Sequence, residues 1–204
     1  VKAPLEGEAG YEISLEGLLG GHSGGEIHKG RASANQVMGR VLYGALERVP
    51  GLRLADIRGG RFDNVICSRN HAKVALPADR AGEFEAFIQE SGAALKNEYT
   101  GCDDGIALAC ERTALDGALS PEATAGMLRT LLSIPQGVQA MNVDFPGLVQ
   151  TSLNMGVMEL KEDGLHFGVS IRSCIASQKE MMVQRLKAIL ELGGGSFTLR
   201  GDYP

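Results

Sequence analysis

The order of secondary-structure elements predicted for the first 113 residues limits the fold more than any other feature of this sequence. Apolar residues at Tyr11, Ile13 and Leu15 alternate with polar ones, which is typical of a strand with one buried face. Helical and strand patterns then follow in turn: a helix over 33–49, strands over 52–58 and 64–76, a helix from Asp79, and a strand over about 105–113. This βαββαβ order predicts a ferredoxin-like unit in the α+β class.

The second half of the chain repeats most of this plan. Its signals are a helix start at Ser120-Pro121, strands over 149–160 and 165–172 joined by an Asp-Gly turn, a capping-box pattern at Ser177 that opens a helix, and a last strand over 196–200. Two hairpin, helix and strand units lie about 100 residues apart, which suggests internal duplication. We therefore expect two related lobes, 11–113 and 114–204, with helices on one face of an antiparallel sheet.

Composition narrows the classes of function. The 204 residues are 44% hydrophobic, enough for a real core, and the net charge of −5 leaves no basic surface for nucleic acid. No apolar run approaches the roughly 20 residues that span a bilayer, and the first residues lack a signal-peptide core. We expect a soluble, cytoplasmic protein that binds neither nucleic acid nor membrane. Because the chain starts at Val1, ten residues before a strand, we also expect it to be a piece of a longer protein.

The sequence contains no recognisable metal or nucleophile motif. Its four cysteines form no CxxC pair and fit reduced structural thiols, and its four histidines form no HxxxH, HxD or HExxH pattern. A hydrolytic zinc centre needs three or more converging ligands, and no serine, histidine and acid trio is indicated either. The residues alone predict a module that is not sufficient for catalysis by itself.

A glycine-rich stretch between the first strand and the first helix, Gly20-Gly-His-Ser-Gly-Gly25, contains the best candidate for chemistry. Glycines let the backbone adopt positive φ angles and approach a ligand closely. His22 either closes a glycine turn, which the spacing slightly favours, or donates a hydrogen bond to an oxyanion. His28 follows six residues later, where an exposed loop histidine is favoured over a metal pair with His22.

Two further polar residues are candidates for contact with a ligand. Arg172 ends a strand whose apolar residues occupy the opposite face, so it is either a solvated surface charge or a fork that grips a carboxylate with two hydrogen bonds. Asn64 follows the Gly59-Gly60 turn. Its amide either satisfies local backbone or both donates to and accepts from a peptide.

Several of these stretches, taken in order, resemble aminoacyl-histidine dipeptidases (Xaa-His dipeptidase, peptidase D), which are relatives of the carnosinases and zinc aminoacylases. The glycine-rich stretch resembles the signature of their lid domain. The resemblance extends over residues 15–35, 59–66, 74–79, 150–157, 171–173 and 201–204. One departure is Cys67, which stands where the family usually has proline. Several spaced motifs in one order are more specific than any single one.

The resemblance implies that this chain, residues 1–204, is the inserted lid and dimerisation domain of a larger cytosolic zinc metallopeptidase. The catalytic domain of the same polypeptide then binds two zinc ions, whereas this part binds no metal and is inactive alone. The family also implies a dipeptide substrate and a homodimer. By motif, His22 corresponds to a histidine that stabilises the oxyanion, Asn64 to an asparagine that contacts substrate, and Arg172 to an arginine that holds the substrate's C-terminal carboxylate.

Two other functions stay open at this point. The chain could be a pure dimerisation module without substrate contact. It could also be a ferredoxin-like regulatory domain that binds a small molecule.

Overall fold

The computed structural model describes residues 2–201. Within them lie nine strands: β1 (Glu8–Glu16), β2 (Gly21–His22), β3 (Arg53–Gly59), β4 (Val65–Ile66), β5 (Asn70–Pro77), β6 (Ala107–Arg112), β7 (Gly137–Met141), β8 (Val149–Lys161) and β9 (Gly164–Ser173). The same residues form five α-helices: α1 (Ser23–Glu26), α2 (Ala34–Arg48), α3 (Ala81–Glu98), α4 (Pro121–Ser133) and α5 (Ala176–Leu192). No helix in this range is long and apolar enough to cross a membrane.

The first half forms the predicted βαββαβ unit. Its four long strands lie in the order β6-β1-β5-β3, and each neighbouring pair is antiparallel, as in ferredoxin-like folds. Tyr11, Ile13 and Leu15 of β1 are buried together beneath the helices, so the alternation in the sequence marks the inner face correctly. The α+β class and the antiparallel sheet are confirmed.

The second half extends the same sheet. β3 pairs with β8 at Arg58↔Glu159 and Gly59↔Met158, and β8 in turn pairs with β7 and β9 to complete seven strands. Helix α2 packs against both α3 and α4, and α5 packs on β9, so the helices share one core with one face of the sheet. The division into related lobes at residue 113 stays a prediction, because a single sheet runs through both halves.

The other face of the sheet is largely polar. Glu12 lies near both His71 and Lys73 there, at 3.9 and 3.6 Å. Among residues 2–201, a small apolar cluster centred on Ala55 and Ala75 covers part of this face. The helices are therefore packed on one side, as expected.

Several local predictions were wrong. Residues 196–200 form no strand; they pair with no strand of the sheet among the described residues, and their side chains are exposed. β7 was not predicted, and the strand expected over 64–76 is divided into β4 and β5. Helix α5 begins at Ala176 without a side-chain cap from Ser177. Of the last resembling stretch, 201–204, only Gly201 lies within the described residues.

Candidate functional site

The His22 loop, residues 19–32, is built on close contacts that only glycine permits. Gly20 and Gly21 have φ angles of 62° and 127°. A Cβ on Gly21 would lie 2.1 Å from Oε2 of Glu26, because that carboxylate accepts a hydrogen bond from the His22 backbone N–H at 3.0 Å. His22 also pairs with Val65 in the short β2–β4 ladder. The backbone of His22 is thus held from two sides.

Glu26 organises the charges of the His22 loop. Its carboxylate lies 3.3 Å from Lys29 and 2.9 Å from Arg31, whose guanidinium also donates to the Gly20 carbonyl. The hydrogen bond from Lys29, followed by that from the His22 backbone N–H, lowers the pKa of Glu26. Glu26 is therefore ionised at neutral pH and fixes the first turn of the loop.

The His22 imidazole is exposed and has a defined orientation. Its Nδ1 accepts a hydrogen bond from the Gly24 N–H at 3.2 Å and so caps α1. The turn-closing role expected for His22 is therefore present. Since Nδ1 is an acceptor, a neutral ring carries its proton on Nε2. The cap leaves that Nε2–H available to donate elsewhere.

Asp103, which sequence reasoning missed, joins both ends of the His22 loop. It is fully buried, and its two carboxylate oxygens accept from the backbone N–H groups of Leu19 and Ala32, each at 2.6 Å. In the sequence it is one of two acids after a glycine turn, which gives no sign of partners so far along the chain. The loop is closed by charge-assisted hydrogen bonds at its base.

Asn64 lies in the segment between β3 and β4, directly beside the His22 loop. Its backbone carbonyl accepts a hydrogen bond from the Ser23 N–H at 2.9 Å. The side chain is half-buried and makes no hydrogen bond with the residues the structure describes. The backbone of Asn64 is therefore next to that of His22, and its amide is available to a ligand.

Arg172 lies near the end of β9, opposite Ser152 of β8. Its guanidinium forms no ion pair within residues 2–201, and its Nε is buried without a hydrogen-bond partner. A Cβ placed on Gly24 would be 3.0 Å from Cε1 of His22 and 3.3 Å from Cζ of Arg172. The fold thus brings His22 and Arg172 together, although they are far apart in the sequence.

A partly open groove of about 220 Å³ lies beside Arg172 and Gly24. Its lining consists of Gly24, Val149, Gln150, Ser152, Arg172, Ser173 and Cys174. The lining combines polar and apolar surface and contains one cation, Arg172, without an ion pair among the described residues. Such a groove suits a small anionic group, for which a guanidinium offers two parallel hydrogen bonds.

The remaining cysteines and histidines do not form a second site. All four cysteines are free thiols; Cys67 is buried, and burial raises its pKa. His28 is exposed beyond α1, the short helix that His22 caps. Among the described residues, no three His, Cys, Asp or Glu side chains converge to hold a metal ion.

Comparison with known proteins agrees with this fold. Residues 13–101 match the model of the peptidase dimerisation domain. Over 195 residues the chain is 35% identical to the cytosol non-specific dipeptidase of Escherichia coli (strain K12), covering 95% of this chain and 40% of that protein. The crystal structure of aminoacylhistidine dipeptidase from Vibrio alginolyticus is 32% identical with a TM-score of 0.90, again covering 95% of this chain and 40% of that one.

These matches define the class that the chain resembles: residues 13–101 are similar to the dimerisation domain of M20 peptidases. More particularly, it is similar over nearly its whole length to part of two dipeptidases, one of them an aminoacylhistidine dipeptidase, so the expected resemblance is confirmed. It spans 40% of the length of either relative.

Proposed function

We propose that this chain is the lid and dimerisation domain of a cytosolic, zinc-dependent Xaa-His dipeptidase. In this proposal it closes over a dipeptide bound by the catalytic domain of the same polypeptide and takes part in a homodimer. The observation that carries the proposal is the meeting of His22 and Arg172 at Gly24, beside the backbone of Asn64. A histidine and an arginine that were only solvated surface residues would have no reason to lie next to each other in the fold.

His22 stabilises the oxyanion in this proposal. The cap on Nδ1 leaves Nε2–H as a donor. The hydrogen bond from the His22 N–H to Glu26, together with the pairing of His22 with Val65, fixes the backbone that carries the ring. A donor held in place before the reaction costs no reorganisation when negative charge develops on the carbonyl oxygen of the scissile peptide. His22 does not need to accept a proton in this role.

Arg172 binds the C-terminal carboxylate of the substrate. Its guanidinium has no carboxylate partner among residues 2–201, so a ligand does not have to displace one. Two parallel N–H donors match the two oxygens of a carboxylate. Asn64 supplies the third contact, since its free amide both donates to and accepts from a peptide group.

The zinc ions of the proposal belong to the catalytic domain. The described residues do not offer three converging ligands, so in this proposal the metal ligands come from the catalytic domain. What these residues do is bind, orient and donate hydrogen bonds. On this division of labour the chain alone has no peptidase activity.

The enzyme either accepts dipeptides broadly or prefers those that end in histidine, because one relative is named a non-specific dipeptidase and the other an aminoacylhistidine dipeptidase. The contacts proposed for His22 and Arg172 involve groups that every dipeptide carries. Preference for a C-terminal histidine then depends on residues beyond these two. Comparing kcat/KM for Ala-His and Ala-Leu with the full-length enzyme separates these two alternatives.

The experiment that tests the proposal is His22→Ala in the full-length enzyme. Loss of one oxyanion donor lowers kcat by about 100- to 1000-fold. His28→Ala is the matched control, since His28 is exposed on the same loop, and it leaves kcat unchanged. Full turnover by the His22→Ala enzyme, with an unchanged dimer in solution, would favour a pure dimerisation module.

A further inference from the structure

Asn154 is a buried amide whose hydrogen-bonding groups are all used. It lies on β8, is 1% exposed, and donates to the carbonyl oxygens of Asp63 at 2.6 Å and Val65 at 2.9 Å. Its Oδ1 accepts from Nε2 of Gln136 at 3.1 Å, and Oε1 of Gln136 accepts from the Met155 N–H at 2.7 Å. The sequence stretch 150–157 carries part of the family resemblance, yet no residue in it has a role so far.

The two carbonyls bound by Asn154 flank Asn64. Asp63 and Asn64 lie in a turn closed by a hydrogen bond from the Val65 N–H to the Phe62 carbonyl at 3.2 Å. In this turn the carbonyls of Asp63 and Val65 face Asn154, whereas that of Asn64 faces the His22 loop. The Asn64 carbonyl accepts from the Ser23 N–H, the residue after His22. One amide on β8 therefore fixes the segment that in turn holds the His22 loop.

Glycine contacts leave this segment no room to shift towards β8. A Cβ on Gly156 would lie 2.2 Å from the Phe62 carbonyl oxygen, and one on Gly60 would lie 1.7 Å from the Gly156 carbonyl oxygen. The register of β8 with β9 shifts between Met155 and Val157, next to the same point. The backbone of residues 60–63 thus rests directly on the irregular part of β8.

The strand that carries Asn154 also positions Arg172. β8 pairs with β9 at Ser152↔Arg172 and Asn154↔Ser170. Asn154 therefore lies two residues along β8 from the partner of Arg172. It is the point where the Asn64 segment is attached to the strand pair that carries the arginine.

We propose that Asn154 is a positioning residue that sets His22 and Asn64 at a fixed distance from Arg172. The inference rests on the proposed function, because it gives the reason for that distance. The role requires an amide: Asn154→Asp has nearly the same shape but directs negative charge at two carbonyl oxygens and cannot donate to both. Misplacement of a catalytic donor by about 1 Å can lower turnover about 100-fold.

The test is Asn154→Asp in the full-length enzyme, with Asn142→Asp as the matched control. Asn142 only accepts, from the backbone N–H groups of Asp144 and Phe145, so aspartate keeps its bonds. We expect kcat of the Asn154 variant to fall about 10- to 100-fold, while its preference for a dipeptide over the dipeptide amide is retained. The control keeps full kcat. An unchanged kcat for Asn154→Asp would overturn the inference.

A double-mutant cycle distinguishes positioning from general destabilisation. If Asn154 acts through the His22 loop, the loss from Asn154→Asp is much smaller in a His22→Ala background, whereas it stays full in an Arg185→Ala background, because Arg185 is exposed on α5. Equal losses in both backgrounds would overturn the inference. Asn154→Ser, which keeps one donor and no charge, replaces the aspartate variant if that variant does not fold.

Hydrogen exchange separates failure of this inference from failure of the proposed function. Asn154→Asp should speed exchange in peptides covering residues 19–32 and 62–66 while α3 stays protected. A fully active His22→Ala enzyme would contradict the proposed function and leave this structural result intact. Unchanged exchange in both peptides would overturn the role of Asn154 itself.

Discussion

The two side chains that meet at Gly24 are held in opposite ways. His22 lies on irregular backbone fixed by Glu26, Asp103 and the β2–β4 ladder, and its ring accepts a bond from the Gly24 N–H. Arg172 lies on a regular strand, and its guanidinium has no ion pair among residues 2–201. The fold thus fixes the proposed oxyanion donor in advance and leaves the proposed carboxylate binder free for its ligand.

Because of this difference, the contacts around His22 contribute to folding stability, whereas the proposed contribution of Arg172 is to substrate binding. The bonds that hold the His22 loop are made in the folded protein, so their removal weakens the fold before it affects chemistry. The unpaired Arg172 guanidinium contributes little to stability, so its removal should act on substrate binding alone. A substitution in the His22 loop therefore tests its role in stability, and a substitution of Arg172 separately tests its role in substrate binding.

The largest effect on stability is expected at the base of the His22 loop. Asp103→Ala leaves the buried N–H of Ala32 and the part-buried N–H of Leu19 without their acceptor, at a cost of about 2 to 4 kcal/mol. Asp104→Ala is the control, since its carboxylate accepts only from Gly101 at an exposed turn. Thermal unfolding, with hydrogen exchange over residues 19–32, measures both. Equal Tm values for the two variants would show that the loop does not depend on Asp103.

A smaller effect, on binding rather than stability, is expected at Arg172. Arg172→Ala should raise KM for dipeptides by about 10- to 100-fold, because charge-assisted bonds to the carboxylate are lost. KM for the corresponding dipeptide amides should not change, and Tm should stay near that of the parent. Arg185→Ala, exposed on α5, serves as the control. A large fall in Tm with no change in KM would show that Arg172 stabilises the fold and does not bind the substrate.

Sequence reasoning found the fold of the first half because its elements obey local rules. The alternation at Tyr11, Ile13 and Leu15 reports one buried face, and the Pro50-Gly51 pair marks the end of α2 correctly. The strand expected over 196–200 shows the limit of the same rule. Alternation gives a segment the capacity to pair, but only the fold supplies a neighbouring edge.

Local sequence patterns indicated which residues are candidates for the site, but not how these residues are arranged in space. His22, Asn64 and Arg172 lie in recognisable stretches, but their mutual placement depends on how β8 joins the two halves of the sheet. Asp103 and Asn154 could not be found from pattern, because each acts on backbone groups far along the chain. Residues that hold a loop in place resemble ordinary turn or strand residues until the fold is known.

The smallest effect concerns the exposed charges of the His22 loop and depends on pH. The hydrogen bond from Lys29 and that from the His22 backbone lower the pKa of Glu26 below its ordinary value of 4.5. A carboxylate with a lowered folded pKa contributes stability above its unfolded pKa and loses it as pH falls through the folded value. Glu26→Gln should therefore lower Tm by about 1 to 2 °C at pH 7, and the difference should shrink as the pH falls through the lowered folded pKa of Glu26.

Glu47→Gln provides the control for this pH dependence, because Glu47 is exposed on α2 and forms no ion pair within the described residues. Its Tm should follow that of the parent at every pH. The Glu26 difference should also shrink in high salt, since Lys29 and Arg31 act on an exposed carboxylate. A Tm difference that persists unchanged below the folded pKa of Glu26 would mean that Glu26 holds the His22 backbone through shape and hydrogen bonding rather than through its charge.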